Sequence, residues 1–245
     1  MNMENQRFKK DLIAKLQNDI LLLQGFKPAT VAEDRLGLGP IESAFPNSVF
    51  PTGAIHEFIC NTPESAAASQ GFIAGILKML MRENGFCLYI SRNRNLFPTA
   101  LDAFGVQPHQ IIFVDLESER NILWAMEEGL KCKQLTAVIT EVRDITFAQS
   151  RRLQLAVAQS QVTGFLLRTD SDRIAPSTCV ARWKVTPLES EQKDGLPGLG
   201  FPRWQIDLIR VKNGNTGSWQ MEWASDNYAF LRNEAKDTIP HRQIG

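Results

Sequence analysis

The chain has no excess of charge of either sign: 27 lysines and arginines meet 27 aspartates and glutamates over 245 residues. Such a balance gives no global pull toward nucleic acid or an anionic membrane, so any contact of that kind needs a local patch. Cysteine is scarce. Cys60, Cys87, Cys132 and Cys179 lie far apart, form no C-x-x-C pair and sit mostly in or beside apolar runs. That spacing argues against a zinc knuckle or a disulfide scaffold and predicts buried, reduced thiols. The three histidines, His56, His109 and His241, show no H-E-x-x-H or other ligand spacing, so no metal is expected. No apolar run approaches the ~20 residues of a transmembrane helix. The first ten residues, MNMENQRFKK, are too polar for a secretory leader. These absences read as a cytoplasmic protein with no membrane contact. What is present is 43% hydrophobic and 22% charged, which supports a sizeable core. The length fits one large domain, or one with appendages, at roughly 100–200 residues per domain.

Residues 5–24 carry Phe8, Leu12, Ile13, Leu16, Ile20 and Leu23 at helical spacing. They predict a helix packed on the domain or, alternatively, docked on a neighbouring subunit. Residues 25–52, with Gly37, Gly39, Pro40, Pro46 and Pro51, predict a linker or a long surface loop. From residue 53 short apolar strands alternate with helices. Strands are expected at 53–60, 87–91, 111–116, 137–142 and 164–168. Helices are expected at 70–84, 98–105, 119–131 and 146–161. This alternation predicts an α/β fold with a mainly parallel sheet covered on both faces. After residue 172 the period becomes two, at 178–186, 204–212 and 217–223, with a hairpin-type turn at 213–217. The division expected is an N-terminal helix and linker (1–52), an α/β core (53–172), an antiparallel extension (173–231) and a polar tail (232–245).

The candidate site is the junction of the first strand and its helix. Strand, turn of small residues, helix is the setting of a phosphate-binding loop. That loop needs Gly for close backbone approach, Lys for the phosphates and Ser or Thr for Mg²⁺. Here the run is Thr62, Pro63, Glu64, Ser65, Ala66, Ala67, Ala68, Ser69. Ala67 and Ala68 stand where Gly and Lys belong, and only Ser69 keeps a metal-ligand type.

This run resembles the phosphate loop of RecA-type recombinases, which reads Gly-Pro-Glu-Ser-Ser-Gly-Lys-Thr. The likeness extends from residue 53 to about 170 and implies a RecA-like P-loop core. The chain more closely resembles the ImuA family, RecA-like accessory proteins of bacterial SOS translesion mutagenesis. Three features carry this: PTGAIHE at 51–57, the missing phosphate lysine, and RVKNGNTGSWQMEW at 210–223. The resemblance implies no bound cofactor and a non-catalytic adaptor. It also implies, as partners, the ImuB-like Y-family polymerase homologue and a specialised replicative-type polymerase, with single-stranded DNA and self-association left open. ImuA proteins resemble SulA over the same core, so a division inhibitor acting on FtsZ is the alternative. A working ATP-dependent recombinase is a further one. Glu141 stands at the place of the RecA-type Mg²⁺-orienting acid, and the second strand ends in Ser91, Arg92, Asn93, Arg94, with no carboxylate to activate water. ATPase activity is therefore not expected.

Candidate partner or DNA contacts are Arg92 and Arg94, at the sheet edge where open α/β folds bind ligands, and Trp219, Trp223, Tyr228, Phe230 and Leu231. Tryptophans interleaved with Arg182, Lys184, Arg203, Arg210 and Lys212 can stack on bases or form an ordinary sheet core. Residues 224–245, with the 219–223 strand, are expected to hold the polymerase-side partner as a docking tail. The competing reading is a strap back onto the domain.

Overall fold

The computed structural model describes residues 8–9, 12–13, 15–16, 19, 36–82, 84–93, 96–169, 175–190 and 200–231. Arg94, the tail 232–245 and most of the first helix lie outside them. The seven described residues before 36 are helical. Phe8, Leu12, Ile13 and Leu16 are exposed, so these side chains do not pack on the domain as expected.

Among the described residues, nine strands form one sheet. They are β1 (Ile55–Ile59), β2 (Cys87–Ser91), β3 (Ile111–Asp115), β4 (Ala137–Val142), β5 (Thr163–Arg168), β6 (Ala181–Leu188), β7 (Arg203–Val211), β8 (Gly217–Ala224) and β9 (Asn227–Phe230). Their order is β3-β2-β4-β5-β1-β6-β7-β8-β9. Every pairing from β3 through to β6 is parallel, and β6 to β9 are antiparallel. The helices are α1 (Pro63–Met81), α2 (Pro98–Asp102), α3 (Glu119–Lys131) and α4 (Phe147–Ser160). The architecture is therefore α/β, with a large mixed sheet flanked by helices, as the alternation predicts. All residues of β1 and β5 are buried, which requires cover on both faces and explains their unbroken apolar runs.

Two apolar layers result. The larger lies under α1 and continues across the antiparallel strands, joining Phe58, Phe72, Phe165, Trp183, Trp204 and Trp223. The smaller lies under α3 and α4, around Ile122, Met126, Leu153 and Val157. Gly75 of α1 lets the C-terminal strands close on the helix. A Cβ there would stand 2.7 Å from the Trp223 ring and 2.6 Å from Tyr228 Cζ. Only a residue without a side chain permits that approach.

Two expectations fail here. Residues 36–52 are not a linker. Two short 3₁₀ helices, Gly39–Ala44 and Pro46–Ser48, bury Leu38, Ile41, Ala44 and Phe45. Leu38, Ile41 and Ala44 are spaced by three, the 3₁₀ period, which Gly and Pro masked. Phe50 then stacks on His56 at 4.4 Å between ring centres. The second failure is at the C-terminus. Residues 227–230 form β9 beside β8, and Leu231 N donates to Gln220 O at 2.9 Å. The turn is made by Ser225 (φ 50) and Asp226 (φ 63). Both are left-handed, as in the hairpin turn usually written with Asn-Gly.

Candidate functional site

The run from Thr62 to Ser69 is not a loop. Helix α1 begins at Pro63, with Thr62 as its N-cap, so the expected turn is the helix's first two turns. Local chemistry favours this. Thr is a good N-cap, Pro suits the first helical position, and the alanines that follow are the best helix formers. Thr62 Oγ1 accepts from Ser65 N at 3.2 Å, and Ser65 Oγ accepts from Thr62 N at 3.1 Å. Glu64 accepts hydrogen bonds from its own N–H and from Thr62, which hold its carboxyl below the usual range. The groups that would cradle a phosphate at a helix start are thus engaged by the helix's own first turn.

The other parts of the expected site are engaged as well. Ala68 is buried, and Ser69 is fully buried. Ser69 Oγ accepts from Cys60 Sγ at 3.4 Å, inside the sheet–helix layer. Glu141 projects from β4 toward α1 and is half-buried. Its Oε1 accepts from Gln70 Nε2 at 2.9 Å and from the Tyr89 hydroxyl, and Gln70 Nε2 also meets Tyr89 Oη at 2.8 Å. Burial raises the Glu141 carboxyl above its ordinary range, and the Tyr89 and Gln70 hydrogen bonds partly offset this. Burial and the neighbouring Glu141 push Tyr89 well up, which keeps its hydroxyl a donor. Ser69 and Glu141, the two places a P-loop site would use for Mg²⁺, are both bonded within the protein. No group of three or more metal-ligating side chains occurs among the described residues.

The remaining candidates do not assemble into one site. Arg92 is exposed at the C-terminal end of β2, 3.9 Å from Glu119 Oε1. Trp223 and Tyr228 belong to the core. Trp223 Nε1 donates to Ala103 O at 3.2 Å, the Tyr228 hydroxyl donates to Phe72 O, and the two rings meet edge to face at 4.9 Å. Trp219, Phe230 and Leu231 are half-buried, the first two packed against the same layer. Trp183 and Trp204 also face α1, so these tryptophans offer no stacking ladder for bases. The docking-tail reading fails for 224–231, which strap the sheet.

The sequence reading missed a second polar centre, at the middle of β1, the C-terminal end of β5 and the start of β6, on the face opposite α1. Glu57 is fully buried. It accepts from Arg168 Nη1 at 2.7 Å, Arg182 Nε at 2.6 Å and Ser177 Oγ at 2.9 Å. Arg168, also fully buried, reaches Asp144 through Nη2. Arg210 Nη1 donates to Ser177 O at 2.7 Å. These hydrogen bonds offset much of the desolvation cost of burying the ion pair. Next to it, on the α1 face, His56 is buried among Phe50, Phe165 and Trp183. Burial lowers its pKa to about 4, against a raising contact with Pro51 O. The neutral ring places Nε2–H on Pro51 O at 2.8 Å and accepts Trp183 Nε1–H on Nδ1 at 3.3 Å. The signal available in the sequence was a Glu inside an apolar strand and an Arg closing another.

With this geometry in place, known proteins give a direction. The chain is similar to Protein ImuA. It is 27% identical over 194 residues to that protein from Caulobacter vibrioides strain NA1000 / CB15N, covering 74% of this chain and 80% of the relative. The ImuA of strain ATCC 19089 / CIP 103742 / CB 15 matches equally. No protein-family model matches. Among solved structures, SulA from Pseudomonas aeruginosa overlaps 47% of this chain and 97% of its own, at 17% identity and a TM-score of 0.40. That overlap is too loose to carry an argument.

Proposed function

We propose that this protein is a non-catalytic, ImuA-like adaptor of DNA-damage-induced mutagenesis, which helps assemble or position an error-prone polymerase complex. The observation that carries the reading is the similarity to ImuA over 74% of the chain. The engaged phosphate site supports it: Thr62 caps α1, Ser69 is buried, and Tyr89 and Gln70 hold Glu141. Phosphoryl transfer depends on positioned cations and donors around the phosphates, and the chain replaces these with alanines and internal hydrogen bonds. On this reading the partners are an ImuB-like Y-family polymerase homologue and a specialised replicative-type polymerase. Self-association through the exposed Phe8, Leu12, Ile13 and Leu16 side chains belongs to the same reading.

The test is genetic. Deleting the gene should lower damage-induced mutation frequency. The wild-type chain and a Glu141→Gln variant should restore it equally. Unchanged mutation frequency in the deletion strain would contradict the role, and failure of the Glu141→Gln variant alone would contradict its non-catalytic character.

A further inference from the structure

A groove of about 780 Å³ opens on the α1 side of the sheet, between the first half of α1, α2 and the strand ends around Pro187 and Pro202. That is the size of a ligand pocket, ~300–1,000 Å³. Four rings line it, Phe97, Phe104, Phe201 and Trp204. Small residues on α1 make room for them: a Cβ at Gly71 would stand 3.1 Å from both Phe104 and Trp204. Those two rings stack on each other at 6.1 Å between centres. Phe97, by contrast, is 74% exposed and Phe201 37%. Exposed rings gathered in one groove, unlike apolar residues scattered singly, mark an interaction surface.

The polar groups of the groove favour one sign. Two charged side chains line it, Glu64 and Arg203. Arg203 is matched by Glu222, Nε to Oε2 at 2.6 Å. Glu64 is exposed and has no ion pair among the described residues. Gln70, also in the lining, uses its amide nitrogen on Tyr89 Oη and Glu141 Oε1, which leaves its oxygen as the open function. The faces of aromatic rings are negative as well, and attract cations. Carboxylate, amide oxygen and ring faces therefore all favour a donor or a cation. Phosphates, whether of a nucleic-acid strand or of lipid headgroups, would meet the unmatched charge at Glu64 with the wrong sign.

We infer that this groove docks a protein segment carrying a Lys or Arg beside an aliphatic or aromatic residue, with the cation at Glu64 and the apolar side chain against Phe97 and Phe201. On the adaptor reading, which supplies the source, the segment belongs to the Y-family polymerase homologue. The experiment measures binding of that homologue to the full chain by interferometry, for wild type, Phe97→Ala, Glu64→Lys and, as a control on the opposite face of the sheet, Lys184→Glu. Circular dichroism checks that each variant folds. Phe97→Ala should lose at least about tenfold in affinity. Glu64→Lys should lose about two- to fivefold, an effect that shrinks as salt is raised. The control should bind as wild type does. Unchanged affinity in Phe97→Ala overturns the inference, and so does tighter binding by Glu64→Lys. A change confined to self-association, read by sedimentation, also overturns it, because the exposed Phe8, Leu12 and Leu16 side chains of a second copy would then be the occupant. If the wild-type chain does not bind the homologue, the adaptor reading fails by itself. A peptide selection on the full chain then decides the groove. Basic–apolar peptides released by Phe97→Ala support it. Acidic peptides, no enrichment, or peptides indifferent to Phe97 overturn it.

Discussion

Glu57 and Glu141 occupy nearly the same level of the sheet, opposite Leu166 and Leu167 of β5, and face opposite layers. Glu57 is fully buried and held by two arginines and a serine. Glu141 is half-buried and held by a tyrosine and a glutamine, with no cation on it among the described residues. The face that would carry nucleotide chemistry has neutral partners, and the opposite face has the charges. A carboxylate matched by arginines ties the middle of β1 to the end of β5 and the start of β6, and Arg168 carries the link on to Asp144 in the β4–α4 turn. A carboxylate matched by neutral donors, with its pKa raised, is a weak ligand for a metal and a minor element of stability.

Substitutions sharpen this contrast. Glu57→Ala leaves the Arg168 guanidinium buried beside a lost partner, and breaking such a pair costs about 3–5 kcal/mol. Urea unfolding should show that loss, with a fall of roughly 10 °C in Tm. A change within about 1 kcal/mol would dissolve the comparison. His56 comes next. Its folded pKa of about 4 lies below the unfolded value near 6.5. The unfolded chain therefore binds the proton first, and stability is complete above about pH 6.5 and falls as pH drops toward 4. The loss is about 3 kcal/mol, and a His56→Phe variant should flatten that part of the pH curve. Gly75→Ala should cost about 1–3 kcal/mol by forcing Trp223 and Tyr228 away from α1. A neutral result there would mean that β8 and β9 are not closed on the helix. The smallest effect is expected at Glu141. Because its folded pKa is raised, its contribution is lost as pH rises through the carboxylate range. Glu141→Gln should therefore be within about 1 kcal/mol of wild type at pH 7, on the neutral or stabilising side.

The parallel strands and long helices were legible because their apolar runs have the right length and spacing. The bounds of β2, β4 and α3 follow directly from 87–91, 137–142 and 119–131. Residues 36–52 were not legible, because Leu38, Ile41 and Ala44 repeat every three positions in a Gly- and Pro-rich stretch. Strand β9 was hidden by a left-handed turn built from Ser225 and Asp226, residue types that do not announce one. At the candidate site the lack of Lys and Gly in the run 62–69 was readable, and the helical start at Pro63 was not. The motif template imposed a loop where the capping residues Thr62 and Ser65 make a helix. The Glu57–Arg168 pair joins residues 111 positions apart, and no local pattern connects them.

The proposed lack of phosphate chemistry rests on α1 starting as a helix capped by Thr62 and Ser65. Isothermal titration of the full chain with Mg²⁺–ATP tests this most directly. No saturable heat is expected up to about 1 mM nucleotide, a bound near 4 kcal/mol of binding free energy, for wild type and for Ser69→Ala alike. One-to-one binding in the micromolar range that disappears in Glu141→Ala would contradict it.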